Sequence, residues 1–214
     1  MNFFNQRVIE IRKRSRVEKL EQIITLLKPT DHDRLLEVGI ADHEYSEVDN
    51  FLIKNYPYQN RLAALSLGDA PSFAKQYPNV RLVCYAGGKF PLETNEFEIV
   101  HSNAVIEHVG QRDAQILFLS ELVRVAKKGM ITTPNKFYFI EVHTRIPFVH
   151  WFGKSIFDAV AKAIGKGWAS GDYMYLLSYK DLDDLAKTVG LRNYRIIKNR
   201  FLCGVMTFTL VWEK

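Results

Sequence analysis

Apolar positions recur along this chain with two alternating periods. In residues 7–28, Val8, Ile9, Ile11, Val17, Leu20, Ile23, Ile24 and Leu27 stand three or four apart with charges between them. That spacing predicts a helix, which Pro29 stops. Arg34-Leu-Leu-Glu-Val-Gly39 reads as a buried strand ending in a glycine turn. Residues 44–54, with Tyr45, Val48, Phe51 and Leu52 on one side, predict a helix. Residues 61–67, 81–86 and 97–102 predict further strands, with a short helix at 70–76 that tolerates Pro71 in its first turn. Residues 111–126 carry the clearest helical stripe: Ile116, Leu119, Leu122, Val123 and Ala126. Lys127 and Lys128 suit the negative end of that helix and Gly129 suits its C-cap. Residues 130–133 predict a strand cut by Pro134.

The region 135–177 breaks the alternation. Within it, 154–165 predicts a basic amphipathic helix with Ile156, Phe157, Val160 and Ile164 on one side. Helix returns at 178–189, with Ser178 as N-cap and Gly190 as stop. Residues 191–199 and 204–213 predict a closing antiparallel hairpin. The expected fold is therefore α/β: a Rossmann-like, seven-stranded, mostly parallel sheet with an antiparallel last strand and helices on both faces. One domain spanning 1–214 is expected, with an N-terminal helix at 7–28 and an insertion at 135–177.

Composition narrows the class. With 214 residues, 47% hydrophobic and 25% charged, the chain suits a globular domain with a sizeable core. No uncharged apolar run is long enough to span a membrane. The first residues lack the apolar stretch of a signal peptide, so a cytoplasmic location is expected. Cys84 and Cys203 sit in apolar strand patterns and are expected to be buried free thiols. The net charge is +5, and Arg7, Arg12, Lys13, Arg14, Arg16 and Lys19 cluster near the start. A solvated helix face accounts for them. No nucleic-acid module accompanies them, and no nucleic-acid partner is expected.

Residues 90–109, FPLETNEFEIVHSNAVIEHV, resemble the segment LPF-x4-FD-x-V-x-S-x3-LEHV of the class I S-adenosylmethionine-dependent methyltransferases. Residues 121–129, ELVRVAKKG, resemble that family's E-x2-RVLKPGG, and Thr133-Pro134-Asn135 follows the next strand. The resemblance is to the type-11 methyltransferase domain and covers residues 30–135, with the last strands in outline. The family's first loop reads E/D-x-G-x-G-x-G. Glu37 and Gly39 match it, whereas Ala41 and His43 stand where glycines belong. A strand, tight turn and helix of this kind place backbone N–H groups at the sheet's carboxyl edge.

The resemblance implies S-adenosyl-L-methionine as cofactor. By position, its contacts would come from Glu37, Gly39, Ala41, Ser66, Asp69, Gly87, Ser102, Asn103 and Ala104. Ser66 stands where the family carries the carboxylate that holds the ribose, and Asp69 or Asp42 would supply a substitute. Gly87 replaces an aspartate near the adenine. An oxygen nucleophile needs a base, and His108 and His143, each near a glutamate, are the catalytic candidates. No H-x-x-x-H spacing occurs and no metal site is expected. The implied function is methyl transfer to a small-molecule, glycan or lipid-linked acceptor. Residues 145–168, dense in aromatic and basic side chains, carry two readings: packing on the domain, or peripheral contact with a membrane. The alternative function is a non-catalytic relative that binds or scaffolds, having lost cofactor contacts at Ala41, Ser66 and Gly87.

Overall fold

The computed structural model describes residues 3–141 and 143–214, with side chains from Ile9 onward. The side chains of Arg7 and Val8, and Val142 in the insertion, lie outside the described residues. Seven strands form one sheet: β1 (Leu35–Val38), β2 (Leu62–Leu67), β3 (Arg81–Tyr85), β4 (Phe97–Asn103), β5 (Ala126–Pro134), β6 (Tyr194–Phe201) and β7 (Gly204–Glu213). Their order is β3-β2-β1-β4-β5-β7-β6. β1 with β2, and β2 with β3, pair in parallel, while β6 and β7 pair antiparallel. The helices around the sheet are α1 (Phe3–Gln22), α2 (Phe51–Asn55), α3 (Pro71–Gln76), α4 (Arg112–Val125), α5 (Lys154–Ala163) and α6 (Tyr179–Thr188). The expected Rossmann-like architecture is the observed one.

Cα packing divides the chain into two compact units, Met1–His101 with Arg124–Gly129, and Ser102–Val123 with Met130–Lys214. In the first, β1 is buried along its whole length, as strands covered on both faces must be. α1 continues as one wider-turned stretch, Ile23–Leu27, and ends at Lys28, whose backbone is left-handed (φ 45°). Ile23 and Leu27 are buried, but Val17 and Ile24 are exposed, so the apolar stripe seats only its C-terminal end. Lys128 Nζ donates to the Leu27 carbonyl at 2.5 Å, satisfying one of the orphaned end carbonyls. In the second unit, α6 begins with a capping box in which Ser178 and Asp181 bond each other's backbone N–H groups. There Ile146, Phe157, Ala161, Ala169 and Met174 form a small core of their own beneath α5.

Three expectations are corrected. The helix expected at 44–54 is confined to Phe51–Asn55. Asp49 accepts hydrogen bonds from the backbone of Tyr45 and Ser46 (2.9 Å each), and Asn50 is left-handed (φ 48°), so side-chain bonding outcompetes the helix. Tyr45 points to solvent at 89% exposure, although Val48 and Leu52 are buried. The C-cap expected at Gly129 is absent because α4 ends at Val125 and Lys127–Gly129 already belong to β5. Lys127 and Lys128 have partners outside the helix, Glu98 (3.4 Å) and the Leu27 carbonyl. Cys84 and Cys203 are free but exposed. β3 is the sheet's edge strand and Cys203 lies in the β6–β7 turn, so neither is covered.

Candidate functional site

In the first unit the loop after β1 turns at Gly39 (φ 90°), a conformation that favours glycine. Its next residues are bound by the unit's own side chains. Asn50 Oδ1 accepts from Ala41 N (2.9 Å), while Asn50 Nδ2 donates to Ala41 O (2.9 Å) and to Glu44 Oε1 (3.0 Å). Asp42 Oδ1 accepts from Ser72 N (2.7 Å) and Phe73 N (3.0 Å), anchoring the start of α3. The Phe73 N–H, chief among these contacts, holds the Asp42 carboxyl below its ordinary value. Burial alone would raise Glu44. Hydrogen bonds from Tyr77, Lys54 and Asn50 together outweigh it and hold Glu44 low. A hollow of about 590 Å³, lined by Asp42, His43, Glu44, Tyr45, Ser72 and Gln76, opens beside this loop.

Glu37, at the end of β1, is buried, with Oε2 2.5 Å from His101 Nδ1 on β4. His101 is 3% exposed and its Nε2 has no partner among the described residues. Sequence reasoning missed His101; an ionisable side chain directly after the apolar pair Ile99-Val100 of β4 was the available signal. Ser66 is buried within β2, opposite Cys84. Asp69, by contrast, lies beyond the strand end. It is exposed, and its carboxylate has no hydrogen bond or ion pair among the described residues. Gly87 and Gly88 both have positive φ (97° and 76°). A Cβ on Gly87 would meet only Leu67 Cδ1, at 3.8 Å, and one on Gly88 would meet nothing within 4 Å. An acceptor-only carboxylate past β2 and an unobstructed glycine pair past β3 suit a ribose diol and a flat base respectively. By that donor and acceptor set the first unit fits an adenosyl group. Asp69, and not Asp42, is the carboxylate whose oxygens are uncommitted.

In the second unit, Asn103 closes β4 and its Oδ1 accepts from Thr132 Oγ1 on β5 at 2.5 Å. Ala104 then takes a left-handed backbone (φ 56°), held by its N–H on the Thr132 carbonyl (2.8 Å). Ser102 is buried at 2% exposure. A short 3-10 turn, Ile106–His108, follows and brings Glu107 inside. Glu107 Oε2 accepts from Thr133 Oγ1 (3.0 Å), and its Oε1 lies 3.3 Å from His143 Nε2 and 3.9 Å from His108 Nε2. Tyr175 N donates to the Glu107 carbonyl at 2.7 Å. His108 Nδ1 donates to the Tyr173 carbonyl at 2.8 Å, and the Tyr173 ring stands edge-on to His108, 4.8 Å away. Burial, then the charges of Glu141 and Glu107, raise the Tyr173 hydroxyl above its ordinary pKa. The two expected catalytic histidines are thus brought together, with ring centroids 4.7 Å apart. Glu107 and Tyr173 complete the group.

Comparison with known proteins agrees with this architecture. Residues 59–132 match the family model of a methyltransferase domain. A SAM-dependent methyltransferase from Aquifex aeolicus is 16% identical, with 99% of this chain and 98% of that one covered and a TM-score of 0.58. A SAM-dependent methyltransferase from Thermotoga maritima, described as a possible histamine N-methyltransferase, is 12% identical over 98% of this chain and 95% of that one, TM-score 0.59. Phosphoethanolamine N-methyltransferase 2 of Haemonchus contortus, solved with S-adenosyl-L-methionine, is 12% identical, covering 92% of this chain and 52% of that one, TM-score 0.60. Among curated proteins no sequence matches. Residues 59–132 therefore carry the sequence pattern of a methyltransferase domain, and the chain shares the fold of solved S-adenosylmethionine-dependent methyltransferases. The matched segment runs from just before β2 into β5.

Proposed function

We propose that the chain is an S-adenosyl-L-methionine-dependent methyltransferase. The observation that carries this reading is the methyltransferase-domain match at 59–132, whose strands β2 to β4 end in an uncommitted carboxylate, a glycine pair and the Glu107–His108 turn. The cofactor, when bound, supplies an activated methyl group, so the protein's part is alignment, water exclusion and proton handling. In the first unit Asp69 accepts from the ribose hydroxyls, Gly87 and Gly88 leave room for the base, and Gly39 turns the chain clear. Glu37, braced by His101, closes the end of β1.

In the second unit His108 and His143 receive the acceptor's proton. His108 carries its own proton on Nδ1, against the Tyr173 carbonyl, which leaves Nε2 as the basic atom. Glu107 faces His143 Nε2 and stabilises that ring once charged. The acceptor on this reading is a small molecule, or a glycan or lipid-linked precursor met from the cytoplasmic side. Exposed Trp151, Phe152, Ile156, Ile164 and Trp168 favour peripheral membrane contact through 145–168. No helix among the described residues is long and apolar enough to cross a membrane.

S-adenosylhomocysteine, the demethylated cofactor, should raise the melting temperature; a ligand at 100 times its Kd adds about 2.7 kcal/mol. Millimolar ligand without a shift would overturn the reading. A second reading has its own observation. The Ala41 N–H and the Asp42 carboxylate are both committed to internal bonds, as they would be in a binding module that has given up the cofactor. Transfer of labelled methyl to any acceptor rules that module out.

A further inference from the structure

Glu107, His108 and His143 converge more tightly than proton handling requires. One ligating atom from each lies within 4.8 Å of the others, and Glu107 Oε1 is 3.3 Å from His143 Nε2 and 3.9 Å from His108 Nε2. Glu107 is fully buried, whereas the two imidazoles are partly exposed, so the shared point opens on the histidine side. The Tyr173 carbonyl can only accept, so His108 carries its proton on Nδ1. In the neutral ring the Nε2 lone pair then faces Glu107 Oε1, another acceptor, across 3.9 Å. A buried carboxylate oxygen held opposite an imidazole lone pair favours a positive species between them.

We propose that Glu107 Oε1, His108 Nε2 and His143 Nε2 form a binding site for a divalent transition-metal ion. Metal bonds of roughly 2.0–2.2 Å put neighbouring ligand atoms about 3.0–3.5 Å apart. The Glu107–His143 spacing of 3.3 Å falls in that range, and the Glu107–His108 spacing of 3.9 Å asks for a small inward shift. The outer bonds are those that metal ligands use. A backbone carbonyl fixes the far nitrogen of His108, and the Thr133 hydroxyl fixes the far oxygen of Glu107. Two imidazoles and one carboxylate select Mn²⁺, Fe²⁺ or Zn²⁺ over Mg²⁺ and Ca²⁺, which take oxygen ligands. Three protein ligands leave positions for water or an acceptor oxygen. Ion binding is a property of the second unit's own residues and stands apart from the methyl-transfer reading.

The test uses the untagged full chain stripped with chelator, titrated calorimetrically with Mn²⁺, Zn²⁺ and Mg²⁺, and separately with S-adenosylhomocysteine. One Zn²⁺ or Mn²⁺ per chain is expected, bound at least tenfold more tightly than Mg²⁺. His143→Ala and His108→Ala should each weaken it by roughly 100-fold, and Thr133→Val by roughly tenfold. Co²⁺ should give ligand-field absorption bands that His143→Ala abolishes. Glu107→Gln alters a buried group that can fail to fold, so the partly exposed histidines carry the test. Absence of stoichiometric binding, or wild-type affinity in both histidine variants, overturns the site. Binding of S-adenosylhomocysteine without metal removes this site and leaves methyl transfer standing; metal without S-adenosylhomocysteine does the reverse.

Discussion

The loops after β1 and after β4 both leave a strand at its carboxyl end, yet their polar groups find opposite destinations. After β1, Asn50 takes the Ala41 N–H and carbonyl, and Asp42 takes two N–H groups of α3. That loop's backbone is bonded within its own unit, although the buried Ser46 Oγ has no partner among the described residues. After β4, Glu107, His108 and His143 bring one ligand-type atom each within 4.8 Å of the others, around a carboxylate that also accepts from Thr133. Buried polar groups are costly unless paired, so the first loop's bonds contribute stability, whereas the second loop gathers groups of metal-ligating chemistry at one point. On the proposed reading, the first unit's ligand contacts come from Asp69 and the Gly87–Gly88 pair and not from its glycine turn.

Four measurements bear on this contrast. The largest effect is expected at the cluster: His143→Ala should lower kcat by about 10²–10⁴-fold in a methyl-transfer assay, the usual contribution of a positioned acid or base. A change below tenfold would reduce the cluster to packing. Asn50→Ala removes the clamp on the first loop and places alanine in a left-handed backbone. Urea unfolding should show a loss of about 2–3 kcal/mol. If stability is unchanged, the Asn50 clamp does not hold the first loop. Asp69→Asn should weaken S-adenosylhomocysteine binding by about 1–3 kcal/mol in calorimetry, with stability unaltered. Full affinity in that variant would return the ribose contact to the first loop.

The smallest effect concerns His150, whose Nε2 donates to the Tyr138 carbonyl at 2.8 Å. Burial pushes its pKa below the ordinary value, against a smaller opposing pull from that carbonyl and from Glu141. The unfolded ring takes up a proton near pH 6.5 and the folded ring only at lower pH. His150 therefore destabilises the fold as the pH falls from about 6.5 through its folded value, and is without effect above. His150→Phe should flatten that part of a stability–pH profile.

How much of this was legible in the sequence depended on the range of the interactions involved. The capping box at Ser178 and Asp181 is local and was readable at its N-cap. The mostly parallel sheet followed from the alternation of periods, and its antiparallel pair from the closing hairpin. Asp49 and Asn50 defeated the helical reading of 44–54 because their side chains bond loop backbone that periodicity does not register. Cys84 was misread because a run of apolar letters does not say which strand lies at the edge. At the site, the adjacent pair Glu107–His108 was visible, but His143 joins it from 36 residues after Glu107 through a fold-made contact. No spacing rule encodes that meeting. The role of Tyr173 is carried by its backbone carbonyl, which any residue type would supply.

Arg124 has a consequence of its own. Its guanidinium donates to the carbonyls of Leu92 (2.7 Å) and Phe90 (3.1 Å), lacing the end of α4 to the segment that leads into β4. The proline-phenylalanine stretch and the arginine of the helix, which together make the family signature recognisable, are therefore two ends of one strut. Their demands are mechanical, and catalysis leaves them untouched. Such a strut holds the two stretches in register whatever residues fill the glycine turn.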